Sequence, residues 1–505
     1  MDTRLLRDPV NPAMAAKIQR RERDTDRAQK LFSQLLAYTH KALPDPPVSA
    51  AARLFALPPH DAVDRISRLP DALLRNIVSR LPVKDAARTA ALSYRWRVVW
   101  RSAPLVLVDS DLLAGTALSR QDARHVPAAV SRVLAAHPGP FRCIHLTTSY
   151  MEEFQGPLLR WLQLLAVKGV QELVLANRPW PVNLQLPAGV LGIATLARLY
   201  LALWKFPDTA SLPRTVSFPN LQELGLCSVL LENSHLDFIL ARSPVLEILC
   251  LQSNMLMDRL TLVSARLRCV HVIGDHDLEI AVEEAPHLER LIICVAPTGK
   301  GSRKILTVNI GHAPALSCLG YLEPEFHTLQ VGGITIKTGK EETVVVPDVK
   351  ILALKVRLGV RNEAKILPCF LRCFPNVERL HIESKKTAES TGKLSLEFWE
   401  QSGAIECIRS NVKLLTFHNF RGEDCEVCFL KFFLKSAGAL SKLVIFYDKK
   451  AFTSLTEVNS RVDPLFDISF ASSCWSLVLV EGAEAYAANT GSGTNFRASD
   501  PFTST

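Results

Sequence analysis

Aromatic residues are scarce in this chain, at 7% of its 505 residues, whereas apolar residues as a whole make up 48%. Leu, Val, Ile and Ala supply most of that apolar content, which suits repeated thin layers better than one thick aromatic-rich core. Twelve cysteines are too few and too scattered for a disulfide scaffold in a chain of this length. We therefore expect a largely folded protein with reduced thiols, located in the nucleus, the cytoplasm or both.

Long apolar runs are also missing from the sequence. The first residues, MDTRLLRDPVNPAMAAKIQRRERD, lack the apolar centre of about 7 to 15 residues that a secretion signal requires. The longest apolar neighbourhood, residues 158–176, is interrupted by Arg160, Lys168 and Glu172, so it falls short of the roughly 18 uninterrupted residues of a membrane span. Neither export nor contact with a membrane is expected.

Motifs of catalysis and metal binding are absent or incomplete in the sequence, which has no GxSxG, no HExxH and no dinucleotide fingerprint after a strand. Residues 296–302 look like a phosphate loop but lack its first Gly. Cys425 and Cys428 have zinc-ligand spacing near His418, but a structural zinc site needs four ligands and no second pair stands at a suitable distance. We therefore expect no cofactor, no metal and no enzymatic activity.

An internal repeat of the form apolar-x-x-apolar-x-apolar dominates the chain after about residue 138. Each unit predicts a short strand whose fourth and sixth residues point inward, followed by a helix or an irregular turn that returns along the opposite side. Stacked units would bury a ladder of leucines, so the expected fold is an α/β solenoid with a concave, mainly parallel sheet. The Asn that regular leucine-rich repeats place after the strand is mostly missing, which predicts an irregular solenoid. The units begin at Phe141, Val170, Leu196, Leu221, Leu246, Leu267, Leu288, Leu316, Val349, Val377, Val412 and Leu440.

Positions three, five and seven of each unit are expected to face the concave surface. Polar or aromatic residues there are candidates for substrate contacts, although solvated strand residues would show the same pattern. Val174, Ile248, Ile292 and Ile351 make that surface partly apolar, which favours a protein or peptide ligand over a sugar or a phosphate. The candidate substrate-binding residues are Glu172, Arg198, Tyr200, Glu223, His271, Arg290, Arg379, His381 and His418.

Residues 64–104 form a second pattern, with three short helical segments. Pro70 suits the first turn of a helix that ends before Pro82, and Trp96 and Trp100 stand four residues apart on one face of another. Helices of this size bury too little surface to be robust alone. They could pack on their own chain or dock on a partner, and nine Lys or Arg against three Asp favour an acidic partner, either protein or nucleic acid.

Residues 64–109, DRISRLPDALLRNIVSRLPVKDAARTAALSYRWRVVWRSAPLVLVD, closely resemble an F-box of the large plant families that also carry leucine-rich repeats. That resemblance implies binding to a Skp-type adaptor, which bridges to cullin and RING subunits of a ubiquitin ligase. Tyr94 departs from the family, which usually has Lys or a similar polar residue there. The adaptor contacts implied by the resemblance are Leu69, Pro70, Leu73, Leu74, Ile77, Leu81, Pro82, Val83, Ala86, Leu92, Arg95, Trp96 and Trp100.

The C-terminal part of the chain is similar to the FBD region that closes many of these plant proteins. The similarity rests on Phe398-Trp399, Cys407, Phe420-Arg421-Gly422 and residues 429–440. Together the two resemblances and the repeats imply the domain order of an F-box/leucine-rich-repeat protein with an FBD-like end.

The expected organisation is a charged leader with a Pro/Ala-rich linker (1–62, partly disordered), an F-box (63–108), irregular repeats (138–385), an FBD-like region (386–450) and a disordered tail (485–505). The expected function is that of a non-catalytic substrate receptor of a Skp-cullin-F-box ubiquitin ligase. An F-box scaffold without a role in degradation and a nucleic-acid-binding repeat protein remain alternatives, the latter because of the net charge of +9.

Overall fold

A computed structural model gives the structure of the chain. It divides into two compact units, Met1–Met257 (unit 1) and Asp258–Thr505 (unit 2). The described residues are 39, 43–48, 64–113, 125–149, 151–177, 183–213, 215–254, 256–274, 278–295, 306–324, 327–331, 334–335, 345–386, 394–482, 496 and 499–502. Most of the predicted leader and linker, and most of the predicted tail, lie outside these residues.

Unit 1 joins a helical module to a parallel sheet. Its helices are α1 (Asp71–Val78), α2 (Val83–Thr89), α3 (Tyr94–Ser102), α4 (Val126–Ala136), α5 (Gln155–Val167) and α6 (Asn233–Ala241). Its strands are β1 (Leu105–Val108), β2 (Phe141–Leu146), β3 (Glu172–Ala176), β4 (Arg198–Ala202), β5 (Glu223–Cys227) and β6 (Ile248–Gln252). Strands β1 to β6 pair in chain order and are all parallel.

The helical module, residues 64–104, forms as its sequence predicts. Pro70 precedes α1 and Pro82 precedes α2, where a missing N–H is harmless and the fixed φ suits a helix start. Ser93 caps α3, because its side chain accepts a hydrogen bond of 3.4 Å from the Trp96 amide. The module therefore consists of α1, α2 and α3, with α1 and α2 each packed against α3.

The first strand ties the helical module to the sheet of unit 1. Pro82 forms a parallel bridge with Val106 of β1, and β1 pairs with β2. Asp109, fully buried after β1, accepts hydrogen bonds of 3.0 Å and 2.9 Å from the amides of Thr147 and Thr148, which follow β2. A carboxylate held by backbone N–H groups in this way fixes the ends of β1 and β2 together.

Unit 2 continues the repeat with a longer set of elements. Its strands are β7 (Arg259–Val263), β8 (Cys269–Gly274), β9 (Glu279–Glu284), β10 (Arg290–Val295), β11 (Leu306–His312), β12 (Cys318–Leu322), β13 (His327–Val331), β14 (Ile334–Thr335), β15 (Ile351–Val356), β16 (Arg379–Ser384), β17 (Leu414–Phe420), β18 (Lys442–Asp448) and β19 (Ser476–Gly482). Its helices are α7 (Arg361–Arg372), α8 (Leu396–Glu400), α9 (Asp424–Ser436) and α10 (Leu455–Val462), with a π-helical turn at Cys407–Asn411.

Two sheets form within unit 2. The first is parallel and runs in the order β8, β10, β12, β15, β16, β17, β18 and β19. The second contains β7, β9, β11 and β13 in parallel order, with β14 antiparallel at its edge. Each predicted repeat unit from Leu267 to Leu440 contributes a strand to the first sheet, as each unit from Phe141 to Leu246 does in unit 1.

The second sheet differs from the expectation that the return segments are helices or irregular turns. Segments such as RLTLV in β7 and LTVNIGH in β11 alternate apolar with polar residues over most of their length. That period of two, rather than the helical period of 3.6, favours strands. The leucine ladder is otherwise as predicted: Leu199 and Leu201 of β4, at positions four and six, are buried. The α/β repeat fold with a large parallel sheet is therefore confirmed.

Within the described residues, no helix combines the length and the apolar character needed to cross a bilayer.

Candidate functional site

The helical module exposes large apolar side chains. On α1, Leu73 is 52% exposed and Ile77 is 38% exposed, and their spacing of four residues places them on one helical face. Leu92, in the turn before α3, and Tyr94, the first residue of α3, are exposed to 68% and 79%. Leu74 and Val78 cover the other side of α1 and are buried. The name "module surface" denotes Leu73, Ile77, Leu92 and Tyr94.

The exposed charge of this module is mainly positive. All nine Lys and Arg side chains of residues 64–104 are exposed, against three Asp, which leaves a surplus of six positive charges. Positive charge on a module that also exposes apolar side chains suits an acidic partner that offers an apolar groove.

Arg95 and Trp96, two of the predicted adaptor contacts, also make contacts within the chain itself. The Arg95 guanidinium donates to Asp71 Oδ1 at 2.8 Å, to the Leu69 carbonyl oxygen at 2.5 Å and to the Ser67 carbonyl oxygen. The Trp96 indole N–H donates to Ser67 Oγ at 3.2 Å. These two residues of α3 therefore clamp the segment that leads into α1, and they position Leu69 and the first turn of α1.

The thirteen adaptor contacts implied by the sequence fall into three groups. Five are exposed: Pro70, Leu73, Ile77, Leu92 and Arg95. Four are half-buried: Leu69, Leu81, Pro82 and Trp100. Four are buried inside the chain: Leu74, Val83, Ala86 and Trp96. Whether any of them touches an adaptor stays a prediction, and the buried group can act only by holding the exposed group in place.

Positions three, five and seven of the repeats share one face of each sheet, the odd-position face. In unit 1 it carries an ion-pair row: Arg198 lies 3.2 Å from Glu172 and 2.8 Å from Glu223 on the neighbouring strands. The Tyr200 hydroxyl also donates to Glu223. These four residues belong to three different repeat units in the sequence, and the structure brings them together.

Part of the N-terminal leader covers this face in unit 1. Leu43 packs in a buried cluster with Val174, Tyr200 and Cys227, all at odd positions. Val48 packs in the same manner on residues of β1 and β2. Residues 43–48 are thus in contact with the sheet, where the sequence suggested a partly disordered leader.

The odd-position face of unit 2 carries the other five predicted substrate residues, and four of them are buried: His271, Arg290, His381 and His418. Burial lowers the pKa of His271 and of His418 to about 4, so both rings are neutral at pH 7. The His418 ring stacks on Phe446 with their centroids 4.6 Å apart. Substrate contacts by these residues stay a prediction, but they do not form the open surface that the sequence suggested.

The chain's own C-terminal end contacts part of this face. Asp500 Oδ2 lies 3.1 Å from His381 Nε2 and 3.5 Å from Arg379 Nη1, and Ser499 Oγ accepts a hydrogen bond of 3.3 Å from the Arg379 guanidinium. Phe502, fully buried, packs among apolar residues that are, except for Tyr321, at odd positions. Residues 499–502, the tail segment, are therefore ordered against the sheet. Composition, from which the sequence predicts a disordered tail at 485–505, does not reveal a long-range contact of this kind.

The signature residues of the FBD-like region are largely buried. Trp399 is fully buried, and its ring centroid lies 5.1 Å from that of Phe429. The Arg421 amide donates to Glu426 Oε2 at 2.8 Å, and its guanidinium lies 3.1 Å from Glu426 Oε1, which also accepts from Ser384 Oγ at 2.6 Å. The Phe-Arg-Gly motif thus joins the end of β17 to β16 and α9.

Cys425 and Cys428 lie on α9 and are half-buried. Burial raises the pKa of Cys425 to about 12 and also raises that of Cys428. Across the described part of the chain, no three His, Cys, Asp or Glu side chains are grouped so that they could hold a metal ion.

Family comparisons match three regions. A model of the F-box domain matches residues 66–107, and a model of the FBD matches residues 400–445. A model described as "FBD-associated F-box protein At5g56370, LRR repeats" matches residues 158–382. These matches confirm the resemblances inferred from the sequence.

Similar proteins come from Arabidopsis thaliana. "Probable FBD-associated F-box protein At1g32375" is 24% identical over 436 residues, which cover 81% of this chain and 97% of that protein. "FBD-associated F-box protein At4g10400" is 24% identical, over 78% of this chain and 95% of that protein. "F-box/LRR-repeat protein At3g26922" is 29% identical, over 46% of this chain and 74% of that protein. The chain therefore aligns with these relatives along most of their length.

Proposed function

We propose that this chain, which carries the F-box, the leucine-rich repeats and the FBD of the plant FBD-associated F-box proteins, is a substrate receptor of a Skp-cullin-F-box ubiquitin ligase. An F-box implies binding to a Skp-type adaptor. The cullin, the RING subunit and a protein substrate are the further partners of this proposal. The observation that carries it is the module surface, which comprises four of the large apolar side chains that this small helical unit leaves exposed.

The physical reason is that exposed apolar area favours association. Fully burying a Leu or Ile side chain contributes about 1.5–3 kcal/mol. Leu73 and Ile77 stay exposed while Leu74 and Val78 on the same helix fill the inside of the module. Helix α1 therefore packs against its own chain through Leu74 and Val78, while Leu73 and Ile77 are available to an adaptor.

The repeats are the substrate-binding part of this proposal. Their odd-position faces combine apolar residues with ionisable ones, which suits a peptide or protein better than a small sugar. The chain would perform no chemistry of its own. It would accelerate ubiquitin transfer by holding a substrate close to the ligase, which raises the effective concentration of the reacting groups.

Affinity purification from plant cells, with and without a proteasome inhibitor, tests this function. The wild-type chain is expected to bring down the adaptor, the cullin and a set of proteins that accumulates under inhibition. A Leu73→Asp/Ile77→Asp variant is expected to lose the adaptor and the cullin but to keep the captured proteins. Recovery of the adaptor without the cullin would instead identify an interaction scaffold with no role in degradation.

A further inference from the structure

The tail segment occupies the odd-position face of unit 2 through two kinds of contact. One is polar and centres on Asp500; the other is apolar and centres on Phe502. Only 3% of Asp500 and none of Phe502 is exposed. Because these two residues are so deeply buried, the tail segment contacts the sheet through specific side chains as well as through its backbone.

The polar contact is a built carboxylate site. His381 Nε2 and Arg379 Nη1 approach the same oxygen, Asp500 Oδ2, at 3.1 Å and 3.5 Å. The other oxygen, Oδ1, accepts a hydrogen bond of 3.0 Å from the Phe502 amide. Burial alone would raise the pKa of Asp500, but His381, the Phe502 amide and Arg379 together lower it below the usual value. Asp500 is therefore bound as a carboxylate.

The apolar contact is a pocket for an aromatic ring. Phe502 belongs to a buried cluster with Ile273, Ile292, Cys294, Cys318, Tyr321 and Ala353, contributed by four neighbouring strands. Its ring lies 5.0 Å from the Tyr321 ring, edge to face, and 5.3 Å from the His381 ring. Aromatic pairs in this geometry are favourable beyond the area they bury. His381 thus contacts both the acid and the aromatic residue.

Phe496 makes a third contact between the C-terminal end of the chain and unit 2. The Phe496 ring lies under two cations, 4.1 Å from the Arg268 guanidinium and 4.8 Å from that of Arg290. Arg268 belongs to the repeat unit that begins at Leu267, and Arg290 belongs to the next unit, which begins at Leu288. The C-terminal end of the chain thus contacts this face through Phe496, Asp500 and Phe502, in that order along the chain.

The covered face is chemically unlike the core on the other side of the sheet. That core is filled by leucine and isoleucine, whereas the odd-position face holds Arg290, Lys355, Arg379, His381 and Glu383. Both ring nitrogens of His271, a residue only 2% exposed, lack a hydrogen-bond partner among the described residues. Ionisable groups are costly to bury, so a face made only for permanent packing would not need them.

We propose that this face of unit 2 is a peptide-recognition site for an acidic residue followed two positions later by an aromatic residue, and that residues 499–502 occupy it as an internal competitor. The inference rests on the proposed function, because the peptide it describes would belong to the substrate. The covalent link gives the tail segment an effective concentration on the order of millimolar. A substrate must therefore exceed this competitor in affinity, or make additional contacts, in order to bind.

A direct binding measurement with the full-length chain tests the inference. The probe is a fluorescent peptide with the sequence of residues 494–505, TNFRASDPFTST, and the readout is its anisotropy. The Asp500→Ala/Phe502→Ala variant, whose internal competitor is disabled, is expected to bind the probe at least tenfold more tightly than the wild-type chain. A probe with Ala in place of its Asp and its final Phe is expected to lose at least tenfold in affinity.

Two further variants make the test specific. Phe466→Ala/Asp467→Ala removes a matched, exposed Phe and Asp elsewhere in unit 2, and its affinity for the probe should equal that of the wild-type chain. Adding Arg379→Ala to the Asp500→Ala/Phe502→Ala variant should weaken the probe at least threefold. If the double variant proves unstable, Asp500→Asn replaces it, because it removes the charge and keeps the volume.

The two proposals fail in different ways. If the disabled variant melts like the wild-type chain and captures the adaptor but does not bind the probe, the tail segment is structural and the inference is wrong. If the probe binds as expected but no variant captures the adaptor, the proposed function fails and the peptide site stands. Equal affinity of the disabled and wild-type chains for the probe would also overturn the internal competition.

Discussion

Replacing Leu73 and Ile77 by Ala is the sharpest perturbation of the module surface. About half of each side chain is exposed, at 52% and 38%. Since full burial of such a side chain contributes about 1.5–3 kcal/mol, covering the exposed parts of both is worth about 1.5–3 kcal/mol together. At about 1.4 kcal/mol for each factor of ten, the double variant should bind a Skp-type adaptor roughly ten- to hundredfold more weakly.

The same variant should fold normally. Both positions lie on the exposed side of α1, and Ala has a higher helix propensity than either Leu or Ile, so the free energy of unfolding should change by less than about 1 kcal/mol. Titration calorimetry with a purified adaptor measures the affinity, and thermal melting measures the stability.

A matched control comes from α5, where Leu159 and Leu164 are exposed to 50% and 38%. Leu159→Ala/Leu164→Ala removes nearly the same exposed apolar area from another helix of unit 1. Its affinity for the adaptor should stay within about twofold of the wild-type value, as expected of surface changes outside an interface. The reasoning would be refuted if both double variants bound the adaptor equally well, or if only the α5 variant lost affinity.

Two further predictions concern the stability of the fold. Gly422 has φ +70°, and an added Cβ would lie 2.8 Å from Arg461 Cγ, so Gly422→Ala should lower the free energy of unfolding by at least about 1 kcal/mol. Gly156→Ala in α5, where a Cβ meets nothing within 4 Å, should raise it by up to about 1 kcal/mol; urea denaturation measures both, and equal effects would contradict the steric argument. Burial lowers the pKa of His271 from an ordinary value of 6.5 to about 4, so the unfolded chain takes up a proton near pH 6.5 that the folded chain does not. The stability from this residue is present above pH 6.5 and is lost as the pH falls toward 4. In the His271→Leu variant, the decrease in the free energy of unfolding between pH 7 and pH 5 should therefore be smaller by about 2 kcal/mol. The same pH profile in the variant and the wild-type chain would contradict this prediction.

Much of the repeat fold could be predicted because one pattern recurs in register. Leucines at positions four and six must be covered by neighbouring units, so the apolar pattern fixes both the strand and the side it buries. The strands β1 and β19 were missed since LVLV and SLVLVEG do not begin with a complete repeat unit. The second sheet of unit 2 was missed because its alternating segments were expected to be return turns.

The candidate sites were harder to predict than the fold. A helical pattern shows which residues share a face but not which face the chain itself covers, so Trp96 and Leu73 looked alike although one is buried and the other is exposed. The contact of Asp500 with His381 joins residues 119 positions apart. Local composition carries no signal for such a contact, and neither the tail segment nor residues 43–48 could be placed from it.

The bond network around Asp109 has a mechanical consequence. Strand β1 directly follows the helical module and is the first strand of the sheet in unit 1. The F-box therefore cannot rotate freely about the segment that joins it to this sheet. Neighbouring strands lie about 4.8 Å apart, so under the proposed function the strand of unit 1 that binds a substrate would set the distance between that substrate and the ligase. Inserting or deleting a whole repeat there would then move the bound substrate in steps of that size, and would change which of its lysines come within reach of ubiquitin.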